Sequence, residues 1–188
     1  MKKLTILSIF CLIAKIAISQ VPTFKKTVLT RDFVSEGVAV ADLNKDGKTD
    51  IIAGYYWFEA PKWTRHEMAP SRTFDPRKEY CESFLNHAMD VNLDGWEDVI
   101  IIDYPGKPAF WFENPKNKPG QWQKHIMADS MGIANESPGF IDIDGDGRLD
   151  LLCGDVKKKQ IVWLQAPTKK GETEWTRHNI SKENVNGT

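Results

Sequence analysis

The sequence predicts an all-β fold assembled from about three copies of one four-stranded unit, and three observations lead there. An acidic nine-residue stretch occurs three times, at Asp42–Asp50, Asp90–Asp98 and Asp142–Asp150, at spacings of 48 and 52 residues. Each copy is flanked at matching distances by short runs rich in β-branched and aromatic residues. No segment beyond the first twenty residues sustains apolar residues at helical spacing.

The first unit opens with Gly37-Val38-Ala39-Val40-Ala41, crosses its acidic stretch, and continues through Ile51-Ile52-Ala53-Gly54, Tyr56-Trp57-Phe58-Glu59-Ala60-Pro61 and Trp63-Thr64-Arg65-His66-Glu67-Met68. In the second the same places hold Leu85–Met89, Val99–Ile102, Phe110–Pro115 and Trp122–Met127. In the third they hold Pro138–Ile141, Leu151–Gly154, Val162–Pro167 and Trp175–Ile180. Each acidic stretch therefore joins the first strand of a unit to the second as a hairpin loop. Four-stranded units recurring at about 40 to 50 residues are the signature of β-propeller blades, here expected over residues 35–68, 83–127 and 135–180. Residues 20–34 precede them, with Thr23–Leu29 expected as a lone outer strand. Propellers close with about four to eight blades. Three blades are therefore expected to be a segment of a larger ring, or to meet another copy through their open edges.

The acidic stretches have the oxygen pattern of a calcium loop. Side-chain oxygens at positions 1, 3 and 5 can converge on one hard cation, Gly at position 6 permits the sharp turn, and a carboxylate at position 9 closes the cage. The residues are Asp42, Asn44, Asp46, Gly47 and Asp50; Asp90, Asn92, Asp94, Gly95 and Asp98; Asp142, Asp144, Asp146, Gly147 and Asp150. A helix–loop–helix calcium site starts with the same spacing but needs a ligand at position 12 and a helix beyond it. Here position 12 is Ala53, Ile101 or Cys153, followed by strand-like runs. A metal-free Asp/Gly turn accounts for one such loop, and poorly for three that keep carboxylates at 1, 5 and 9. The third loop has four carboxylates against three in the others, and is expected to bind tightest.

Over residues 35–180 the chain resembles the FG-GAP and VCBS repeats of calcium-binding propellers, which include the blades of integrin α subunits and many secreted bacterial proteins. All three loops match DxNxDGxxD or DxDxDGxxD, and Glu59-Ala60-Pro61 and Gln165-Ala166-Pro167 are degenerate forms of the naming motif. The resemblance implies that the backbone carbonyls of Lys48, Trp96 and Arg148 complete the three ligand sets, for up to three Ca2+ ions.

Lys2 and Lys3 precede an apolar run from Leu4 to Ala14, and Ala17-Ile18-Ser19 offers small residues before Gln20. This reads as a signal peptide over residues 1–19, and so as export to the periplasm, cell surface or medium. The run is interrupted by Lys15 and is well short of the roughly 20 residues of a membrane-spanning helix, so no transmembrane segment is expected after cleavage. Cys11 follows Ser8-Ile9-Phe10 inside the apolar core, unlike a lipidation site. Loss of residues 1–19 leaves 22 basic against 26 acidic residues. Ten of the acids are loop aspartates, so nothing here suits nucleic acid. Cys81 and Cys153 occupy unmatched places in the repeat and are expected as unpaired thiols.

His66, His125 and His178 recur at one place on the last strand of each unit. They are expected to be repeat structure rather than a convergent site. The insertion over 69–86 has no counterpart before the third unit. It carries Arg72, Arg77, Lys78, Glu79, Tyr80 and Glu82, with His87 following on an inner strand. Tyr, His and Arg in one pocket could serve a polysaccharide lyase. GxSxG, GxxxxGK[ST] and HExxH motifs are absent. The expected function is that of a secreted, calcium-binding module with a non-catalytic role toward a polysaccharide or protein ligand. A polysaccharide-active enzyme, lyase or hydrolase, is the alternative.

Overall fold

The computed structural model describes residues 22–127 and 138–183. The predicted signal peptide lies outside them. Among the described residues there is no helix, and so none long and apolar enough to cross a membrane. Blade 1 consists of β1 (Ala39–Ala41), β2 (Asp50–Ala53), β3 (Tyr56–Glu59) and β4 (Thr64–Glu67). Blade 2 is β5 (Leu85–Met89), β6 (Asp98–Ile102), β7 (Ala109–Glu113) and β8 (Gln123–Ile126). Blade 3 is β9 (Gly139–Ile141), β10 (Asp150–Asp155), β11 (Gln160–Gln165) and β12 (Thr176–Asn179). Each is an antiparallel meander whose strands pair in chain order.

Register confirms the alignment of the repeats. Ile52 pairs with Trp57 and Trp57 with His66; Ile100–Trp111–His125 and Leu152–Trp163–His178 form the same row in the other blades. Side chains alternate between the faces of a sheet, so this row and its neighbours point to one side of each blade. On blade 1 that side, with Ile52, Trp57 and Met68, packs against Val99, Ile101, Phe110 and Phe112 of blade 2. Blade 2 turns Ile100, Ile102, Trp111 and Met127 toward Leu151, Cys153, Val162 and Leu164 of blade 3. All five residues of β6 are consequently buried. A strand covered on both faces has no polar side to show, which is why Val99–Ile102 reads as an unbroken apolar run.

The outer face of blade 1 is treated differently. Residues 29–34 cross it, with the Asp32 carboxylate 3.8 Å from the Arg65 guanidinium and Val34 buried. Gly54, at φ +63°, sits so close to the Val34 carbonyl that a Cβ could not fit. The outer strand expected over Thr23–Leu29 is not formed: those residues join no sheet, and Phe24 and Val28 are exposed. Residues 22–28 are all exposed and meet no strand edge that would take up their backbone groups. The entry segment makes one isolated bridge further on, Phe33 with Phe74 of the insertion. A buried polar cluster then ties the entry segment to the blades. The Asn86 Oδ1 accepts from Ser35 Oγ (2.9 Å) and Ser83 Oγ (2.7 Å), and Asn86 Nδ2 donates to the Gly54 carbonyl (3.3 Å). Cys81 and Cys153 are free and buried, and burial pushes the Cys153 thiol up to about 12.

Candidate metal centre

The three acidic loops fold alike, each held by its own aspartates. The position-1 carboxylate accepts two loop amides: Asp42 from Asp46 and Gly47 (3.1 and 2.9 Å), Asp90 from Asp94 and Gly95 (3.0 and 2.8 Å), Asp142 from Gly145 and Gly147 (2.7 and 3.0 Å). The position-3 side chain accepts the position-5 amide at 3.0 to 3.1 Å, and the position-5 carboxylate accepts the position-7 amide at 2.8 to 3.0 Å. These bonds turn the oxygens at 1, 3 and 5 toward one another. Gly47, Gly95 and Gly147 at position 6 have φ of 80°, 93° and 88°, the left-handed conformation expected of them. Position 4 is left-handed too, at Lys45, Leu93 and Gly145, which the spacing does not reveal because two of the three are not glycine.

The position-9 aspartates stand apart from the other three. Asp50, Asp98 and Asp150 are buried at the start of the second strand of each blade. Each carboxylate clamps two backbone amides: Leu43 and Ala60 on Asp50 (3.0 and 2.9 Å), Val91 and Asn114 on Asp98 (3.0 and 2.8 Å), Ile143 and Ala166 on Asp150 (3.2 and 2.9 Å). One oxygen fixes the acidic loop and the other fixes the end of the third strand. Burial pushes Asp98 up to about 7 against these two bonds, and raises Asp50 in the same sense.

Loop 3 differs from the others in charge. Carboxylate oxygens of Asp142, Asp144 and Asp146 lie within 4.8 Å of one another, the one such acidic, His or Cys trio among the described residues. Loops 1 and 2 carry Asn at position 3, and a lysine comes to the position-5 carboxylate: Lys48 Nζ is 2.6 Å from Asp46 Oδ2, and Lys116 Nζ is 2.8 Å from Asp94 Oδ2. The Lys48 hydrogen bond lowers the Asp46 carboxyl; at Asp94 burial acts upward, and Lys116 with the loop amides outweighs it. At loop 3 the close partner of Asp144 is an amide, Gln165 Nε2 at 2.5 Å. Among the described residues no salt bridge reaches these three carboxylates, and oxygen donors grouped in this way are of the type a hard divalent cation takes.

The loops are also linked to one another. Arg148 donates to the carbonyls of Asp90 and Val91 (3.0 and 2.9 Å), and the Lys45 ammonium lies 4.7 Å over the Trp96 ring. The connection between the third and fourth strands of the next blade grips each preceding loop. Asn114 Nδ2 donates to the Leu43 carbonyl (2.8 Å), Asn117 Nδ2 to the Asn44 carbonyl (3.0 Å), and the Gly171 amide to the Asn92 carbonyl (2.7 Å). Single-loop spacing carries no signal of these contacts.

The histidines do not converge. Each stacks on the tryptophan of its row, with centroids 4.2 to 4.3 Å apart, and bonds a neighbouring strand: His66 to Glu59, His125 to Glu113, His178 to Gln165. The insertion builds a cleft of about 390 Å³ with the β6–β7 turn, at the end of blade 2 opposite its acidic loop, lined by Arg72, Glu79, Tyr80, Glu82, Asp103 and Tyr104 among others. Arg72 is held by Glu79 through two 2.8 Å bonds, Arg77 pairs with Asp75, and exposed Tyr80 stacks on Tyr104 at 6.1 Å. His87 does not line the cleft; it contacts Phe140 of blade 3 at 4.2 Å, and burial lowers its pKa. A second cleft, about 560 Å³, opens beside loop 1 between blades 1 and 2, with Asn44, Asp46, His66, Asn114 and Lys118 in its wall.

Four-stranded meanders, each with an acidic hairpin loop between its first two strands, define a repeat protein of propeller type. The chain carries FG-GAP repeats: residues 36–60 match the FG-GAP repeat and residues 90–153 the FG-GAP-like repeat. Among curated proteins, a rhamnulokinase of Mannheimia succiniciproducens is 28% identical over 80 residues, which cover 40% of this chain and 16% of that protein. No solved structure matches.

Proposed function

We propose that this chain is an exported, calcium-stabilised propeller module whose role is to bind a ligand, glycan or protein, without transforming it. The observation that carries the metal reading is the convergence of Asp142, Asp144 and Asp146. Asp42, Asn44 and Asp46, and Asp90, Asn92 and Asp94, are the weaker equivalents, each with a lysine to displace. Extracellular calcium modules bind at about 10⁻⁴ to 10⁻³ M, and a tenfold excess over Kd stabilises by about 1.4 kcal/mol per site. Calorimetric titration with CaCl2 should show binding, and the melting temperature should rise with calcium and fall with chelator. Asp144→Ala should remove the tightest site. No heat and an unchanged melt would overturn the reading.

Arg72 and Tyr80 in one cleft favour polysaccharide as the ligand, through stacking on an exposed ring and hydrogen bonds from charged side chains. They also keep the enzymatic alternative in view. His87 stands elsewhere and Arg72 is already neutralised by Glu79, so binding is the better supported role. Unsaturated or shortened products from a panel of uronate polysaccharides would reverse that judgement.

A further inference from the structure

The second residue of each acidic loop sits in the same clamp. The Leu43, Val91 and Ile143 amides donate to Asp50, Asp98 and Asp150, whose other oxygens take the Ala60, Asn114 and Ala166 amides. The carbonyls of Leu43 and Val91, equivalent by that clamp, are held in two different ways. Across the junction of blades 1 and 2 the Leu43 carbonyl accepts from Asn114 Nδ2 at 2.8 Å, and Asn114 follows β7, outside any acidic loop. Across the junction of blades 2 and 3 the residue matching Asn114 is Ala166, which has no side-chain amide to offer. Arg148 takes its place, reaching back from position 7 of loop 3 to donate through Nη2 to the Asp90 and Val91 carbonyls at 3.0 and 2.9 Å. Its Nε is buried without a partner, so among the described residues those two carbonyls are what the guanidinium holds.

We propose that Arg148 is a positioning residue for the loop 2 metal site, tying its affinity to the occupancy of loop 3 while loop 1 binds more independently. The inference rests on the calcium reading of the loops. The link is continuous from one ligand set to the other. The Arg148 amide donates to Asp146 Oδ1 (2.8 Å), the position-5 carboxylate of loop 3, and the Arg148 carbonyl is the expected position-7 ligand of the same site. The guanidinium holds the two peptide groups that follow Asp90, whose side chain is position 1 of loop 2. The Val91 amide lies in turn on Asp98, position 9 of that loop, at 3.0 Å. Loop 3 has room to respond, since residues 143–147 are exposed, whereas Val91 and Asn92 in loop 2 are buried. With Asp146 and the Arg148 carbonyl engaged by an ion, the root of the arm is fixed, and loop 2 has less to order when its own ion arrives. Linkage makes the help reciprocal. Loop 1 touches loop 2 through the exposed Lys45, 4.7 Å over the Trp96 ring, a contact between side-chain ends that holds neither backbone.

Trp96 is the one tryptophan inside an acidic loop. Terbium used in place of calcium and excited through tryptophan therefore reports loop 2 by the part of its emission that Trp96→Phe removes. The half-saturating concentration of that signal should rise at least about fivefold in Asp144→Ala. Arg148→Ala should weaken loop 2 by a like factor, and adding Asp144→Ala to it should change nothing further, a pattern that local destabilisation would not produce. Arg148→Lys, whose single ammonium reaches one carbonyl, should keep part of the coupling, and Asp46→Ala in loop 1 should shift loop 2 less than Asp144→Ala does. A loop 2 signal indifferent to Asp144→Ala, or equally sensitive to it with and without the Arg148 side chain, would overturn the proposal while leaving the calcium reading intact. Absence of any terbium or calcium binding would overturn that reading and the proposal with it.

Discussion

Blades 2 and 3 carry equivalent residues in equivalent rows and treat them oppositely. Trp111 is fully buried between two sheets, whereas Trp163 stacks on its histidine in the same way and keeps part of its ring in water. Nothing local distinguishes the two positions. What differs is whether a neighbouring sheet arrives, so burial in this fold belongs to the interface rather than to the blade, as expected of an architecture in which each unit contacts only its neighbours.

The largest test of that contrast is Trp111→Ala beside Trp163→Ala. The first should cost about 3–5 kcal/mol in urea unfolding, the loss typical of a large buried aromatic, and the second less than half of it. Equal losses would mean that the blade 3 row is covered in solution. The position-9 clamp comes next. Asp98→Ala leaves the Val91 and Asn114 amides without their acceptor at a buried site and should cost about 2–4 kcal/mol. Asp150→Ala, whose partner Ile143 is more open to water, should cost less. The smallest effect concerns His87, which joins β5 to Phe140 across the blade 2–blade 3 interface. Burial holds its folded pKa below the unfolded value near 6.5. The unfolded chain therefore binds the proton more readily, and stability is lost as pH falls below 6.5. Replacing it with Phe should flatten the stability profile as pH falls below 6.5. An unaltered slope would place the acid sensitivity elsewhere.

The strand order and the register of the histidines were legible because the acidic loops recur and set every other residue against a fixed mark. The closeness of Asp142, Asp144 and Asp146 could be read from their alternate spacing. The two-way clamp made by Asp50, Asp98 and Asp150 did not, since a second partner ten to sixteen residues away leaves no local pattern. The grip of Arg148 on Asp90 and Val91 was hidden for the same reason, acting between units 57 and 58 residues apart. Thr23–Leu29 misled because β-rich composition states a preference, and a strand also needs an edge to pair with. The insertion had composition without placement. Only the fold shows that Arg72 and Tyr80 share a cleft while His87 turns to the next blade.

The meander has a kinetic consequence. Within each blade every strand after the first pairs with the one before it, so each sheet closes through short loops and at small entropic cost. A single sheet still has two faces to bury and cannot hold its shape alone. Blade 2 is the unit that both neighbours require, and its β6 and β7 contribute to both apolar clusters. Folding should thus condense around the middle of the chain and spread outward, with the first and last strands the earliest to open when the protein breathes.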